Sequence, residues 1–440
     1  MTETGVVPAM SARDVLRIVD FRRLWAAQGI SDVGDGLTML TLMLLVNQLT
    51  QSTMALAALA IALAIPPLTI GMVAGSYADR FDRRRIMLVS DGLRAAVVLG
   101  FVLIDSAAML PALLVLAFVQ ASVGSFFNPA RGALVPRVVP ADGLLAANAV
   151  TQATRVIAGV VGAGLAGLIV GLAGETWPAF VLDAGTFLAS VLLVYGVNRA
   201  AGHPSDAERV ASTGVGASVM EGLRIVAGSR VLWVTLIALA VTMFGLGAVN
   251  VLFLPLMVRV LEVSPVWLGA VDLAQSTSMI LSAGLVGVLA ARLRPTAIVT
   301  VCLIGLGLLV ALVGRSTSVF HVLGLLFLMG WLVTPVNAAV MTLMQTGVDD
   351  ATRGRVMATL QAAMSGAGIA SMLFAGVFGD VLGVRTVFLL AGAVVLAGGA
   401  LSLVLYRGVA PVREQTVGRE LAPSERTPSD DPMTTERAPA

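Results

Sequence analysis

The residues of this chain able to do chemistry are few, and most are ionisable groups stranded in apolar surroundings. Asp32 and Asp35 lie in the apolar run 24–48. Spaced three apart, they share one face of a helix. At a rise of 1.5 Å per residue, Asp35 falls about 17 Å along from Leu24, near the middle of a bilayer. Gly34 and Gly36 flank it and permit bending or the close approach of a neighbour. Arg155 lies about 14 Å into another apolar run, counted from Ala146. Charges at such depth are costly unless paired or hydrated, so they mark function or a specific structural bond. The chemistry available to Asp35 and Asp32 is the uptake and release of a proton. The other reading is a neutral acid hydrogen-bonded to a neighbouring helix. Arg155 cannot shed its proton; it needs an acidic partner, a wet cavity, or a route to snorkel to the headgroups.

Other polar residues are less telling. Asp183 and Asp272 sit near the outer ends of their runs, where each either lines a pathway or bonds to backbone. Asp91 and Arg94, three apart, read as a local ion pair. Gln152, Asn250 and Asn337 are candidate pathway residues, with Met243, Phe244 and Trp331 as weaker ones. His203 and His321 are isolated, and no phosphate loop or catalytic triad appears. No catalytic residue, metal, cofactor or nucleic-acid partner is expected, and the chain does not read as an enzyme. Cys302 is the only cysteine, which excludes an intrachain disulfide.

These residues are positioned by long apolar segments. Of 440 residues, 58% are hydrophobic and 12% charged, with a mean hydropathy of +0.94. Soluble domains carry about a quarter charged residues, so a bilayer is the expected solvent. Twelve runs follow: 24–48, 55–76, 86–105, 109–128, 146–173, 177–197, 231–258, 265–290, 296–314, 318–345, 356–379 and 384–406. They are continuous rather than alternating, which reads as helices and not as barrel strands. The first twenty residues lack the apolar core of a cleavable signal peptide.

All 28 basic residues are arginines. With both termini in the cytoplasm, twenty-three of the 28 fall on that side, as positive-inside sorting demands. The reading is therefore a cytoplasmic segment 1–20, a six-helix bundle 21–197, a polar cytoplasmic linker 198–230, a second bundle 231–407 and a disordered tail 408–440. A shift of 209 residues superposes Gln152 on Gln361, Gly159 on Gly368, Gly167 on Gly376 and Gly174 on Gly383. That points to two related halves. Gly159, Gly162, Gly164 and Gly167 are spaced for close helix contact.

Several motifs carry a family resemblance. Gly75, Asp79, Arg80, Arg83 and Arg84 form a Gly-x-x-x-Asp-Arg-x-x-Arg-Arg turn between the second and third runs, with Arg85 following. This resembles the corresponding loop of the major facilitator superfamily. Asp20 to Trp25 with Gln28, Ser31 to Asp35, Asn128 to Pro136 with Val139, Pro140, Ala147 and Asn148, and Arg353 to Val356 resemble its twelve-span drug:proton antiporter branch. That branch includes macrolide-efflux and enterobactin-exporter-like proteins. Two features depart from it: Gly162 is followed by Ala163 rather than proline, and Gln120 stands nearest to the usual span-four arginine.

The resemblance implies an all-α membrane protein of twelve spans in two pseudo-symmetric bundles, in the inner (plasma) membrane. It implies alternating access and export of a small amphipathic or hydrophobic compound, with protons and membrane lipids as further partners. It places the first and fifth spans against a central cavity, making Asp32 or Asp35 the expected partner of Arg155. It makes Gly75, Asp79, Arg80 and Arg83 a cytoplasmic gate, with Gly75 allowing close packing and Asp79 and Arg83 bridging the halves. For Arg83, Arg84 and Arg85 a topology signal and anionic-lipid contact is the companion reading. A lysophospholipid or siderophore transporter, or a receptor that has lost transport, are the alternatives.

Overall fold

The computed structural model describes residues 10–198, 215–348 and 350–406. Apolar runs this long satisfy every backbone group only by coiling, and the described residues form helices joined by short turns. The helices are α1 (Ala12–Arg17), α2 (Val19–Thr50), α3 (Thr53–Arg80), α4 (Arg83–Gly100), α5 (Leu110–Val138), α6 (Leu144–Ala173) and α7 (Trp177–Tyr195). After them come α8 (Val215–Gly228), α9 (Arg230–Pro255), α10 (Val266–Arg292), α11 (Pro295–Gly314), α12 (Val319–Gly347), α13 (Asp350–Leu382) and α14 (Val384–Leu405). Among the described residues, eleven candidate spans are long and apolar enough to cross a membrane. The 27-residue α10 takes the remaining place in a twelve-helix fold of two six-helix halves. The first half is α2–α7 and the second α9–α14.

Turn chemistry divides the runs. Gln51 turns left-handed (φ 47°) and Ser52 caps α3, its hydroxyl accepting from the Ala55 amide. Asp82 caps α4 by accepting from the Arg85 amide at 3.1 Å. The pair singled out by the internal repeat ends equivalent helices. Gly174 closes α6 at φ +73° and Gly383 closes α13 at φ +82°, a conformation that is cheap only without a Cβ.

The duplication extends to packing. In the first half, a methyl on Gly36 would lie 2.8 Å from the Gly159 carbonyl oxygen, and one on Gly162 would lie 2.2 Å from that of Val33. In the second half, a methyl on Gly247 would lie 2.7 Å from the Gly368 carbonyl oxygen. The halves meet through α6 against α10 and α3 against α13. Gly167 packs on Pro265 and Gly269 on Gly164 in the first of these interfaces. Gly376 packs on Ala57 and Met54, and Gly379 on Thr53, in the second. All these contacts lie toward one end of the molecule, where a polar cluster also crosses. Asp380 accepts from the Thr53 amide at 2.9 Å and the Ser52 hydroxyl at 3.2 Å. Arg259 lies 3.9 Å from Asp380 and donates to Asn47 at 2.7 Å.

At the opposite end, which carries the charged turn, the same helices stand apart. A methyl on Gly71 or Gly75 of α3, or on Gly284 or Gly287 of α10, would meet nothing within 4 Å among the described residues. The close packing expected at Gly75 is therefore absent in this conformation.

Two of the expected connecting segments carry helices of their own. The polar linker expected over 198–230 contains α8, whose Gly222 packs on the Arg355 carbonyl and the Thr359 side chain of α13. Glu221 pairs with Arg355 beside it. The segment expected over 1–20 carries α1, closed by a reciprocal Ser11–Asp14 capping box, and α2 already begins at Val19. The Ser11 hydroxyl and amide hold the Asp14 carboxyl below the usual carboxylate range. The disorder expected over 408–440 lies outside the described residues.

Candidate functional site

A cavity of about 610 Å³ opens within the first half. Ser31, Asp32, Asp35 and Thr38 line it from α2, Arg94 from α4, Gln120 and Gly124 from α5, and Arg155 from α6. Met39, Leu42, Leu63, Pro67 and Phe127 supply apolar wall. The three residues singled out for proton chemistry, Asp32, Asp35 and Arg155, thus face one space.

Their pairing differs from expectation. Asp35 bonds to Arg94, not to Arg155. The Asp35 side chain is 43% exposed and that of Arg94 only 7%. Arg94 also lies 3.6 Å from Asp91, which bears out their local pairing, but the same guanidinium serves both acids. Its charged plane sits 4.2 Å from the Phe187 ring centroid, a cation–π contact. Gly124 makes room for it: a methyl there would lie 3.3 Å from Arg94 Nε. Arg155 is exposed to the cavity, with no carboxylate within 4 Å among the described residues. Asp32 accepts from the Gln28 amide at 3.1 Å, and the Gln28 carbonyl oxygen accepts from Arg131. Arg94 was visible in the sequence as an arginine within a span; the nearby Asp91 offered it a sufficient local partner.

Asp183 does not line the cavity. It is fully buried between α2 and α7. Thr38 donates to one carboxylate oxygen at 2.5 Å and Thr186 to the other at 2.9 Å. Gly34 lets α7 approach, since a methyl there would overlap Asp183 and Thr186. In this conformation Asp183 joins α2 to α7 through these bonds. Asp272, Gln152, Asn250 and Asn337 are exposed, and none forms part of this cavity's wall. Met243, Phe244 and Trp331 are half-buried. Gln120 is buried in the wall with both amide atoms unpartnered.

The charged turn is divided in use. Arg83 is buried and donates to the carbonyls of Ala78 and Ala133 at 3.4 and 3.2 Å. Arg84 donates to the carbonyls of Val194 and Tyr195 at the end of α7. Cations suit these carbonyl-rich helix ends. Arg83 thus holds two carbonyls of the first half. Arg85 remains outward, its side chain 80% exposed. Asp79 is half-buried and Arg80 exposed at the end of α3.

Comparison with known proteins agrees with this architecture. The chain is 28% identical over 386 residues to the multidrug efflux pump Tap of Mycolicibacterium fortuitum, covering 85% of this chain and 92% of that protein. It is 22% identical to macrolide efflux protein A of Streptococcus pyogenes, covering 86% and 93%. The crystal structure of a bacterial homologue of the iron transporter ferroportin, in an inward-facing state, superposes with a TM-score of 0.70 at 14% identity, covering 89% of this chain and 99% of the other. The profile of the transmembrane secretion effector family matches residues 10–431. With twelve helices in two related halves and a match over almost its whole length, the chain belongs to that family, within the major facilitator superfamily of membrane transporters.

Proposed function

We propose that the protein exports a small amphipathic or hydrophobic compound by alternating access, driven by protons moving the other way. The observation carrying this reading is the Asp35–Arg94 pair on the cavity wall. One member is open to water and the other is sealed in protein. Protonation of Asp35 removes the charge that holds Arg94, so proton occupancy biases how α2 and α4 pack. The largely apolar wall with a few convergent polar groups suits an amphipathic ligand. The efflux named for Tap and for macrolide efflux protein A supports the direction and the small-molecule substrate.

The arginine distribution supports an inner-membrane orientation with the charged turn and both termini in the cytoplasm. The present conformation then opens inward, with the Asp380–Arg259–Asn47 cluster closing the outer end. Gly75, Asp79 and Arg80 are the residues that close against the second half in the opposite state. Arg85 is placed to meet anionic headgroups.

The test is purified protein in vesicles under a pH gradient, with a cationic amphipathic dye as probe. Wild type moves the dye in response to the gradient, and Asp35→Asn, still folded, does not. Undiminished gradient-driven movement by Asp35→Asn removes this residue from the mechanism.

A further inference from the structure

We infer that Asp91 is a positioning residue for proton coupling: it competes with Asp35 for Arg94 and sets the pH at which Asp35 lets go. This rests on the reading of Asp35 as the proton site. The geometry is one cation between two unlike acids. Arg94 reaches Asp35 through Nη2, while Nη1 lies 3.6 Å from Asp91 Oδ1 and 3.5 Å from the Ser31 hydroxyl. Asp91 is fully buried. Ser190 donates to its Oδ2 at 2.5 Å, and its Oδ1 has no hydrogen bond among the described residues. One guanidinium cannot fully compensate two carboxylates, and water reaches only Asp35 freely. A proton arriving from the cavity therefore meets an Asp35 oxygen first, and the reading of Asp35 as the proton site has it bind there. Arg94 keeps its own protons and turns to the waiting Asp91 Oδ1. Loss of the proton from Asp35 reverses the exchange. Without Asp91, release would strand a buried cation, which is strongly unfavourable.

The other charged groups near Arg94 come from α2 (Asp32), α6 (Arg155) and α7 (Asp183, bonded to Thr38 and Thr186). The cavity faces of α3 and α5 near it are uncharged, with Leu63, Pro67, Gly71, Gln120 and Gly124. Arg131, further along α5, is engaged by Gln28.

The experiment measures dye transport by the full-length protein in vesicles across external and internal pH, and reads the midpoint pH. Asp91→Asn leaves Arg94 to Asp35 alone, so a lower pH is needed to displace it. The midpoint moves toward acid by about one pH unit. Arg94→Gln frees Asp35 and moves the midpoint the other way. If Asp91 merely braced the Arg94 side chain, Asp91→Asn would loosen the Asp35–Arg94 pair and shift the midpoint toward alkali. That result, or an unmoved midpoint, overturns the inference. Should Asp91→Asn fail to fold, Ser190→Ala decides: it keeps the carboxylate but alters its bonding, and an unmoved midpoint again overturns the inference. The underlying reading fails separately, when Asp35→Asn retains proton-driven transport.

Discussion

The two halves of the molecule pack alike and are charged differently. Gly34 and Gly36 in α2 correspond to Gly245 and Gly247 in α9. Each pair lets the same neighbours come close: α7 and α6 in the first half, α14 and α13 in the second. Yet where α2 carries Asp32 and Asp35, α9 carries Met243 and Leu246. Where Gly34 meets Asp183 and Thr186, Gly245 meets Val395 and Ala391. Duplication preserved the backbone contacts that set the fold, while ionisable chemistry became concentrated in one copy. Such a division sets an α9 without acids at these positions against an α2 that carries two.

The largest effect should separate the halves outright. Asp35→Asn is expected to reduce gradient-driven export to background, whereas Leu246→Ala at the corresponding place keeps its coupling to protons, as paired vesicle assays would show. Coupling lost in both variants would break the comparison. The shared packing should respond symmetrically. Gly167→Ala and Gly376→Ala each force an overlap against the opposite half, at a cost of about 1–3 kcal/mol. Thermal melting and cysteine accessibility at the charged-turn end should report similar losses for the two. Asp183 tests whether one half tolerates the other's solution. Asp183→Val alone leaves Thr38 without its acceptor, while Thr186 keeps the Asp183 backbone carbonyl at 2.8 Å, and should cost about 1–3 kcal/mol in melting experiments. Adding Thr38→Val, which copies Val249 of α9, should recover part of that loss. The smallest effect is at the cluster joining the halves. Asp380→Ala removes a helix cap worth about 1 kcal/mol, and accessibility at the end away from the charged turn should rise by a few-fold.

The spans were legible because apolar runs of that length admit only helices in lipid, and the arginine-rich turn was legible as a boundary. Helix ends were less so. The run 109–128 was expected to stop before Pro129, but α5 continues to Val138, because a proline within a long helix can be accommodated when neighbours satisfy the freed carbonyl. The helix α8 was hidden in a polar linker: at 14 residues it gains stability by packing on α13 rather than from a long apolar run. The glycine spacing of α6 announced close contact but not with whom; Gly162 serves α2 and Gly167 serves α10. The pairing of Asp35 with Arg94 joins side chains 59 positions apart. Local spacing carries no trace of it, and it favoured Asp91 instead.

The carboxylate of Asp380 accepts from the first amide of α3, that of Thr53, on a helix belonging to the other half. Separating the halves at that end would therefore release the Thr53 amide to water or a new acceptor, while Ser52 still caps Ala55. Each working cycle would then include undoing and remaking a borrowed terminus.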